Sequence, residues 1–341
     1  MAPSRPAVAL AAIAVAVAVT VPSVAARRGK VVVLRDVAYA DPSPEGSRGH
    51  LLDLYLPAGD PVGDPARDPA GGPRRPLLVW SGGSGWMSDD GKASAEPIAR
   101  YFTARGWAVA GVSVRSSAQA VFPAQVHDVK AAIRRLRADA DRHGLDPDRI
   151  AIMGDSSGGW LAAMTAVTGA AGELEGDVGV TGPSSAVQAA VDLYGPTDFL
   201  AMDAQMLPGA CERFNATYGL RDCHDDRDSP ESRLMGFPIR ERPELVARAS
   251  PATYASPSVP PMLILHGRDD DLVPEPQSAT LHEALRAAGA PVRYVPVPGA
   301  GHSWRQVLAG GRMHDVAAFL ADALRLSPEA FPTGAPRRRG R

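Results

Sequence analysis

The chain has 341 residues, of which 45% are hydrophobic and 22% are charged, and its formal net charge is -2 at pH 7. This balance is typical of a globular protein with a large core, and the length fits one large α/β domain. The near-neutral charge argues against nucleic acid as a partner and against a polybasic membrane-binding role.

The first 26 residues predict a secretory signal peptide. Arg5 precedes an apolar stretch from Ala7 to Val21, and small residues follow it. Signal peptidase accepts small residues before its cleavage point, so cleavage is expected after Ala25 or Ala26. The alternative is a membrane anchor, but the stretch is shorter than the ~20 residues of a spanning helix. We therefore expect a secreted or periplasmic protein with no stable membrane insertion after cleavage.

Strand-like and helix-like segments alternate along the rest of the chain. Two β-rich segments, residues 30–40 and 50–57, precede a loop from Pro57 to Pro76 that is rich in proline, glycine and charge. Further strands are predicted at residues 76–80, 107–114, 149–154, 189–195, 261–267 and 291–297. Helical patterns lie at residues 96–105, 123–144, 158–167, 277–288 and 313–326. This alternation predicts a mostly parallel sheet with helices on both faces.

The helix within residues 123–144 has one apolar face, formed by Val126, Val129, Ile133 and Leu136. The basic residues Lys130, Arg134 and Arg137 are expected on the opposite, solvent side.

Residues 198–249 interrupt the alternation, because they are rich in charge, Met, Pro and Cys. We interpret them as a cap or lid inserted over the top of the sheet. With no internal repeat visible, residues 27–331 are predicted to form a single domain, followed by a disordered basic tail at residues 332–341.

A candidate nucleophile lies between the strand at residues 149–154 and the helix that follows. The sequence Gly154-Asp155-Ser156-Ser157-Gly158 fits the pattern G-x-S-x-G. In that pattern the serine occupies a sharp strand-to-helix turn, and the glycines leave room for the turn. The alternative is a glycine-rich turn with serine N-caps, which fits these residues locally but does not account for the rest of the site.

A serine nucleophile needs a base and an acid, which in this fold class follow it in the order Ser, acid, His. Asp269, Asp270 and Asp271 come directly after the strand at residues 261–267, and His302 lies in a Gly-rich loop after the last strand. We therefore predict His302 as the base and one of the three aspartates as the acid. His266 is interpreted as structural.

A glycine-rich turn, "SGGSGW" at residues 81–86, follows the strand at residues 76–80. Backbone N–H groups aimed at the developing oxyanion are the other requirement for acyl transfer. The candidates are the N–H groups of Gly83, Ser84, Gly85 and Ser157. A phosphate-binding loop is not expected, because no G-K-[ST] follows the glycines.

The two cysteines, Cys211 and Cys223, lie twelve positions apart in a polar stretch. In an oxidising compartment they are expected to close a loop as a disulfide, the alternative being two free thiols. A metal site is not expected, because only His224 lies nearby and a tetrahedral ligand set is not completed.

Several longer motifs resemble those of secreted α/β-hydrolase esterases of the BD-FAE type, which are related to hormone-sensitive-lipase-like and feruloyl or acetylxylan esterases. The resemblance runs from about Leu52 to Leu320, and its motifs are "SGGSGW", "FPAQVHDVKAAIRRLR", "GDSSGG", "DLYGPTDF", "DSPESRLMG", "PPMLILHGRDDDLVP" and "GAGHSW". It implies the α/β-hydrolase fold and selects Asp270 as the acid, although Asp269 and Asp271 stay open from the residues alone.

The sequence departs from the family pattern at three positions. Gly82 replaces the histidine of the oxyanion loop, Ser84 replaces its middle glycine, and Trp160 stands where histidine is frequent. Backbone donors survive such changes, so an oxyanion hole is still expected.

The predicted activity is hydrolysis of carboxylic esters through an acyl-enzyme, with Ser156, His302 and Asp270 as the triad and with no metal or organic cofactor. The substrate is expected to be a small ester or an acyl group on a polysaccharide. Two alternatives are a peptidase or amidase of the prolyl-oligopeptidase type and a catalytically silent binding protein with the same fold. The first is disfavoured because no propeller domain precedes the fold, and the second because all three triad residues are present.

Overall fold

An eight-stranded sheet forms the centre of the protein. The computed structural model describes residues 31–57, 74–169, 172 and 174–327. The strands are β1 (Val31–Ala38), β2 (Leu51–Pro57), β3 (Arg75–Ser81), β4 (Ala108–Val112), β5 (Leu145–Asp155), β6 (Ala189–Leu193), β7 (Met262–Gly267) and β8 (Val292–Val297). Their order in the sheet is β1-β2-β4-β3-β5-β6-β7-β8.

The sheet is parallel from β4 to β8, whereas β1 and β2 pair antiparallel at one edge. Strands β4, β6 and β7 are buried at every residue, which explains their continuous apolar runs. In the parallel register Ser81 pairs with Gly154, and Asp155 pairs with Leu193. The carboxyl ends of β3, β5 and β6 therefore meet at the same edge, and the loops that leave these strands lie side by side.

Helices cover both faces of the sheet. They are α1 (Glu96–Thr103), α2 (Ala124–Ala138), α3 (Ala140–His143), α4 (Ser157–Val167), α5 (Met202–Gln205), α6 (Ala210–Tyr218), α7 (Pro230–Met235), α8 (Pro243–Val246), α9 (Pro276–Ala287), α10 (Trp304–Val307) and α11 (Arg312–Ala323). One apolar core packs α2, α4 and α9 against one face, and a second core packs α1 and α11 against the other. The predicted α/β-hydrolase fold is confirmed.

Residues 198–249, between β6 and β7, contain the short helices α5 to α8. They are tied to the sheet domain by an aromatic cluster, in which Trp160 of α4 lies 5.3 Å from Trp86 and 6.4 Å from Phe199 between ring centroids. The indole Nε1 of Trp160 also donates to the carbonyl of Ala249 at 2.7 Å. Trp160, one of the three residues that depart from the family pattern, therefore anchors this segment on α4.

The expectation that Lys130 and Arg134 face solvent is wrong. Their side chains are 0% and 1% exposed, because the segment after α4 folds over this face of α2. Both cations are paired there with Glu175, and they also donate to the carbonyls of Thr168, Val178 and Val180. The charges are buried because nearby acceptors replace their water.

Three predictions concern residues outside the described ones: the signal peptide at residues 1–26, most of the loop from Pro57 to Pro76, and the tail at residues 332–341. Within the described ranges, every helix is too short or too polar to cross a bilayer.

Candidate active site

Ser156 lies on the sharp turn between β5 and α4. Its backbone has φ 54° and ψ -127°, a conformation that non-glycine residues rarely adopt. The turn is tight because neighbouring backbones approach it: a Cβ at Gly154 would overlap the carbonyl of Gly158, and a Cβ at Gly158 would overlap that of Ser81. Only glycine fits at Gly154 and Gly158, because any side chain there would overlap a neighbouring backbone, and this explains the two glycines of G-x-S-x-G.

The structure brings Ser156, His302 and Asp270 into one hydrogen-bonded chain. The Nε2 of His302 lies 2.9 Å from Oγ of Ser156, and its Nδ1 lies 2.8 Å from Oδ2 of Asp270. A carboxylate only accepts hydrogen bonds, so Nδ1 carries the proton and Nε2 is left to accept one from the serine. This is the geometry of a nucleophile, a base and a residue that orients the base.

Of the three consecutive aspartates, Asp270 is the one that accepts the hydrogen bond from the imidazole of His302. Asp269 is exposed, and Asp271 points to Arg213 at 3.3 Å. Asp270 is 1% exposed and also accepts the backbone N–H groups of Leu272 and Val273 at 3.0 and 2.9 Å.

His266 lies behind Asp270, with its Nε2 3.3 Å from Oδ2 of that residue. Burial would raise the pKa of Asp270, but the hydrogen bonds from His266 and His302 outweigh it and hold this pKa well below its ordinary value. The carboxyl of Asp270 therefore stays ionised at any pH at which the protein would work.

Two of the four predicted oxyanion donors are engaged within the protein. The N–H of Gly83 donates to Oδ1 of Asp155, and the N–H of Ser84 donates to Oγ of Ser157, both at 2.9 Å. Gly83 does not fit its predicted role, because a carboxylate already holds its N–H. The N–H of Gly85 has no acceptor in the described part of the chain, and that of Ser157 opens α4, where first-turn N–H groups lack helical partners. These last two remain available for an oxyanion.

Asp155, the variable position before the nucleophile, ties three parts of the site together. Besides Gly83, it accepts a hydrogen bond from the hydroxyl of Tyr194 at 3.2 Å. The ring of Tyr194 packs against the imidazole of His302, with centroids 4.7 Å apart. The sequence analysis did not single out Asp155 or Tyr194. Neither an aspartate inside G-x-S-x-G nor a tyrosine after a strand indicates by itself that the two side chains are hydrogen-bonded.

A cavity of about 80 Å³ opens beside Ser156 and His302. Its walls come from the glycine-rich loop after β3, the start of α4, the segment at residues 198–249 and the loops after β6 and β7: Ser84, Gly85, Trp86, Met87, Ser157, Pro196, Phe214, Tyr218, His224, Pro230, Glu231, Leu272 and Val273. Glu231 is another residue that sequence reasoning did not single out. A glutamate in the first turn of a helix is common for electrostatic reasons, so the sequence has no signal that this one is buried beside a cavity.

The predicted disulfide between Cys211 and Cys223 is formed. It connects α6, which contributes Phe214 and Tyr218 to the cavity wall, to the turn that carries His224. The bridge therefore braces one wall of the cavity.

One cluster of metal-ligating residue types occurs among the described residues, formed by Asp203, Cys223 and His224. The sulfur of Cys223 is in the disulfide, so it is not a thiolate. Both ring nitrogens of His224 are hydrogen-bonded, to Asp203 at 2.8 Å and to the carbonyl of Leu272 at 3.0 Å. These groups are a poor fit to a metal ion.

Comparison with known proteins identifies esterases that are similar to this chain in sequence. Esterase LipQ of Mycobacterium tuberculosis is 31% identical over 288 residues, which cover 83% of this chain and 61% of that protein. The probable carboxylic ester hydrolase LipM of the same organism is 29% identical, over 72% of this chain and 54% of its own. The chain thus spans between 54% and 61% of the length of these curated relatives.

Among solved structures, a truncated form of a carbohydrate esterase from gut microbiota has a TM-score of 0.71 at 30% identity, covering 89% of this chain and 100% of that one. Thermogutta terrifontis esterase 2 in its apo form has a TM-score of 0.61 at 25% identity, covering 86% and 95%. The profile of the BD-FAE family matches residues 64–285. With this match over most of the chain and the same fold in its relatives, the protein belongs to the BD-FAE family.

Proposed function

We propose that the protein is a serine carboxylic-ester hydrolase that works through an acyl-enzyme. The observation that carries the proposal is the unbroken hydrogen-bonded chain from Asp270 through His302 to Ser156 at the mouth of a cavity. The names of LipQ and LipM, an esterase and a probable carboxylic ester hydrolase, support ester hydrolysis.

In the first half of the reaction, Oγ of Ser156 attacks the ester carbonyl carbon and passes its proton to Nε2 of His302. The carbonyl oxygen becomes an oxyanion, which the N–H groups of Gly85 and Ser157 are positioned to stabilise. The bond to the leaving oxygen then breaks, and His302 returns the proton to the departing alcohol.

In the second half, water attacks the acyl group on Ser156, with His302 as the base again. The carboxylic acid leaves, and the proton returns to Ser156. Asp270 keeps Nδ1 protonated and stabilises the positive ring that forms in each half.

The acyl group is proposed to be short. The cavity beside Ser156 is small, about 80 Å³, which suits an acyl group of a few heavy atoms better than a long chain. Support comes from Thermogutta terrifontis esterase 2, of which a propionate-bound structure is known. The carbohydrate esterase among the structural neighbours supports a sugar as the alcohol portion.

We also propose that the protein is exported from the cytoplasm. The disulfide between Cys211 and Cys223 supports an oxidising compartment. The N-terminal sequence of the protein recovered outside the cytoplasm should begin at Ala26 or Arg27, the residues after the two predicted cleavage points.

The test is covalent labelling and hydrolysis by matched serine variants. Paraoxon or a fluorophosphonate should add once to the wild-type protein, as an organophosphate does to Thermogutta terrifontis esterase 2. Ser156→Ala should lose the label and lower kcat by ~10⁴-fold or more, with an unchanged Tm. Ser157→Ala, which alters the adjacent serine, should keep the label.

A panel of acetyl, butyryl, long-chain and feruloyl esters would rank the acyl groups, and the acetyl and butyryl esters should be the best substrates. Labelling of Ser157 in place of Ser156 would refute the assignment. Faster hydrolysis of peptide amides than of every ester would refute the activity.

A further inference from the structure

Glu231 is a buried acid beside the nucleophile. It lies in the first turn of α7, after the N-cap Ser229, and only 4% of its surface is exposed. It lines the same cavity as Ser156 and His302. The helix that carries it packs over the oxyanion loop, since a Cβ at Gly85 would lie 3.5 Å from Cβ of Pro230. An acidic side chain from residues 198–249 therefore lines the cavity that contains Ser156 and His302.

The carboxyl of Glu231 is incompletely satisfied. Its Oε2 is buried and has no hydrogen-bond partner among the described residues. Leaving a buried polar atom unpaired is costly, so buried acids are nearly always paired. A glutamate that only stabilised the first turn of α7 electrostatically would need neither to be buried nor to line the cavity.

His224 supplies a balancing positive charge nearby. Both of its nitrogens face acceptors, the carboxylate of Asp203 and the carbonyl of Leu272, so both must carry protons and the ring is a cation. Burial opposes this charge, but the nearby carboxylates of Glu231 and Asp203 outweigh it and raise the pKa of His224. Burial raises the pKa of Glu231, and the nearby charge of His224 opposes that rise, so an acid and a cation line one cavity.

A second unpaired polar atom belongs to the same wall. The indole Nε1 of Trp86 is buried without an acceptor among the described residues, and Trp86 also lines the cavity. Two residues of the wall therefore each have a buried polar atom without a partner among the described residues. A hydroxyl group can satisfy the carboxyl of Glu231 in either protonation state, because it both donates and accepts hydrogen bonds.

We propose that Glu231 binds a hydroxyl group of the ester substrate and makes the enzyme selective for hydroxylated esters. The proposal rests on the proposed esterase function and specifies its substrate class. An ammonium on the substrate would be repelled by the cation of His224. A neutral hydroxyl avoids that repulsion and supplies the partner that Oε2 of Glu231 lacks among the described residues.

The test uses pairs of esters that differ by a hydroxyl in place of a methyl group. One pair places the hydroxyl on the alcohol portion: 2-hydroxyethyl acetate and propyl acetate. The other places it on the acyl portion: ethyl glycolate and ethyl propionate. For each pair the ratio of kcat/KM values is divided by the ratio of the rates of hydrolysis by hydroxide, which removes the intrinsic reactivity.

For the wild-type protein, this corrected ratio should favour the hydroxylated member of at least one pair about tenfold or more, as expected when a buried unpaired polar atom gains a hydrogen bond. Glu231→Met, similar in size, should bring the ratio close to one. Glu231→Gln can still bond a hydroxyl and should retain part of the preference. Glu244→Met, at an exposed glutamate in the first turn of α8, should keep the wild-type ratio.

Two outcomes would overturn the proposal. A wild-type ratio near one in both pairs would do so without any variant, even if Glu231→Met did not fold. An equal loss of activity on both members in Glu231→Met and Glu231→Gln would show a purely structural role. Both results presuppose that the wild-type protein hydrolyses the esters, whereas failure to hydrolyse any of them would refute the esterase function itself.

Discussion

Replacing Asp270 by asparagine is expected to abolish most of the activity without unfolding the protein. In the native site, Oδ2 of Asp270 accepts the proton of Nδ1 of His302 at 2.8 Å. An asparagine can present its NH₂ group there, which makes Nδ1 an acceptor and moves the ring proton to Nε2. Nε2 then donates and no longer accepts, so Ser156 loses its base.

The expected loss in kcat is about 10⁴-fold, equivalent to about 5.5 kcal/mol of transition-state stabilisation. The fold should survive, because the other oxygen of Asp270 accepts the N–H groups of Leu272 and Val273, and an asparagine oxygen can do the same. The Tm should fall, because the hydrogen bonds from His266 and His302 that keep the pKa of Asp270 low also stabilise the folded state, but a cooperative unfolding transition should remain.

The neighbouring aspartates provide matched controls. Asp269 is exposed and Asp271 is partly exposed on the side of Arg213, so Asp269→Asn and Asp271→Asn should each keep kcat within about twofold of wild type. Initial rates with a short acetyl ester between pH 7 and 8 would measure all three variants. A residual activity above one tenth in Asp270→Asn, or a comparable loss in either control, would refute the assignment.

Three further outcomes follow from the structure. Asp155→Ala removes the acceptor that holds the N–H of Gly83 and should lower kcat ten- to a hundredfold with an ester substrate; an unchanged kcat would show that the oxyanion loop holds its shape alone. Burial raises the pKa of Asp192 to about 6, so the folded state binds its proton more tightly than the unfolded state, and urea denaturation should show stability falling by about 2 kcal/mol as pH rises from 4 to 6. Asp192→Asn should abolish that fall, and parallel pH profiles for the two proteins would contradict it. Reduction of the Cys211–Cys223 disulfide should raise KM before the sheet unfolds, with about 2–3 kcal/mol of stability lost on the chain-entropy estimate; an unchanged KM, with reduction verified by mass, would show that α6 does not shape the site.

The sequence alone predicted the architecture and the turn that carries Ser156. Buried parallel strands must be apolar along their whole length, so β3, β4, β6 and β7 appear as short apolar runs at the observed places. The turn at Ser156 admits only glycine at Gly154 and Gly158, and this steric demand is visible as a motif. The position of His302 followed from the order of strands, because the loops after parallel strands open at the same edge.

The choice of Asp270 among three aspartates came from family resemblance, and the structure places that residue on His302. Sequence reasoning could not separate them, because three consecutive carboxylates are chemically identical and differ only in the direction in which the loop turns each one.

Tertiary packing alone decided the remaining features. The apolar periodicity of α2 predicts which face meets the sheet, but the burial of Lys130 and Arg134 depends on a segment some 40 residues later in the chain. In the same way, Gly83 loses its free N–H to Asp155, a residue more than 70 positions away. Glu231 lies beside the nucleophile because an inserted segment folds back over the oxyanion loop. Local sequence patterns predict which face of a helix or strand packs against the sheet. Hydrogen-bond partners and cavity walls depend instead on contacts between segments that are distant in sequence, and these contacts form only when the whole chain has packed.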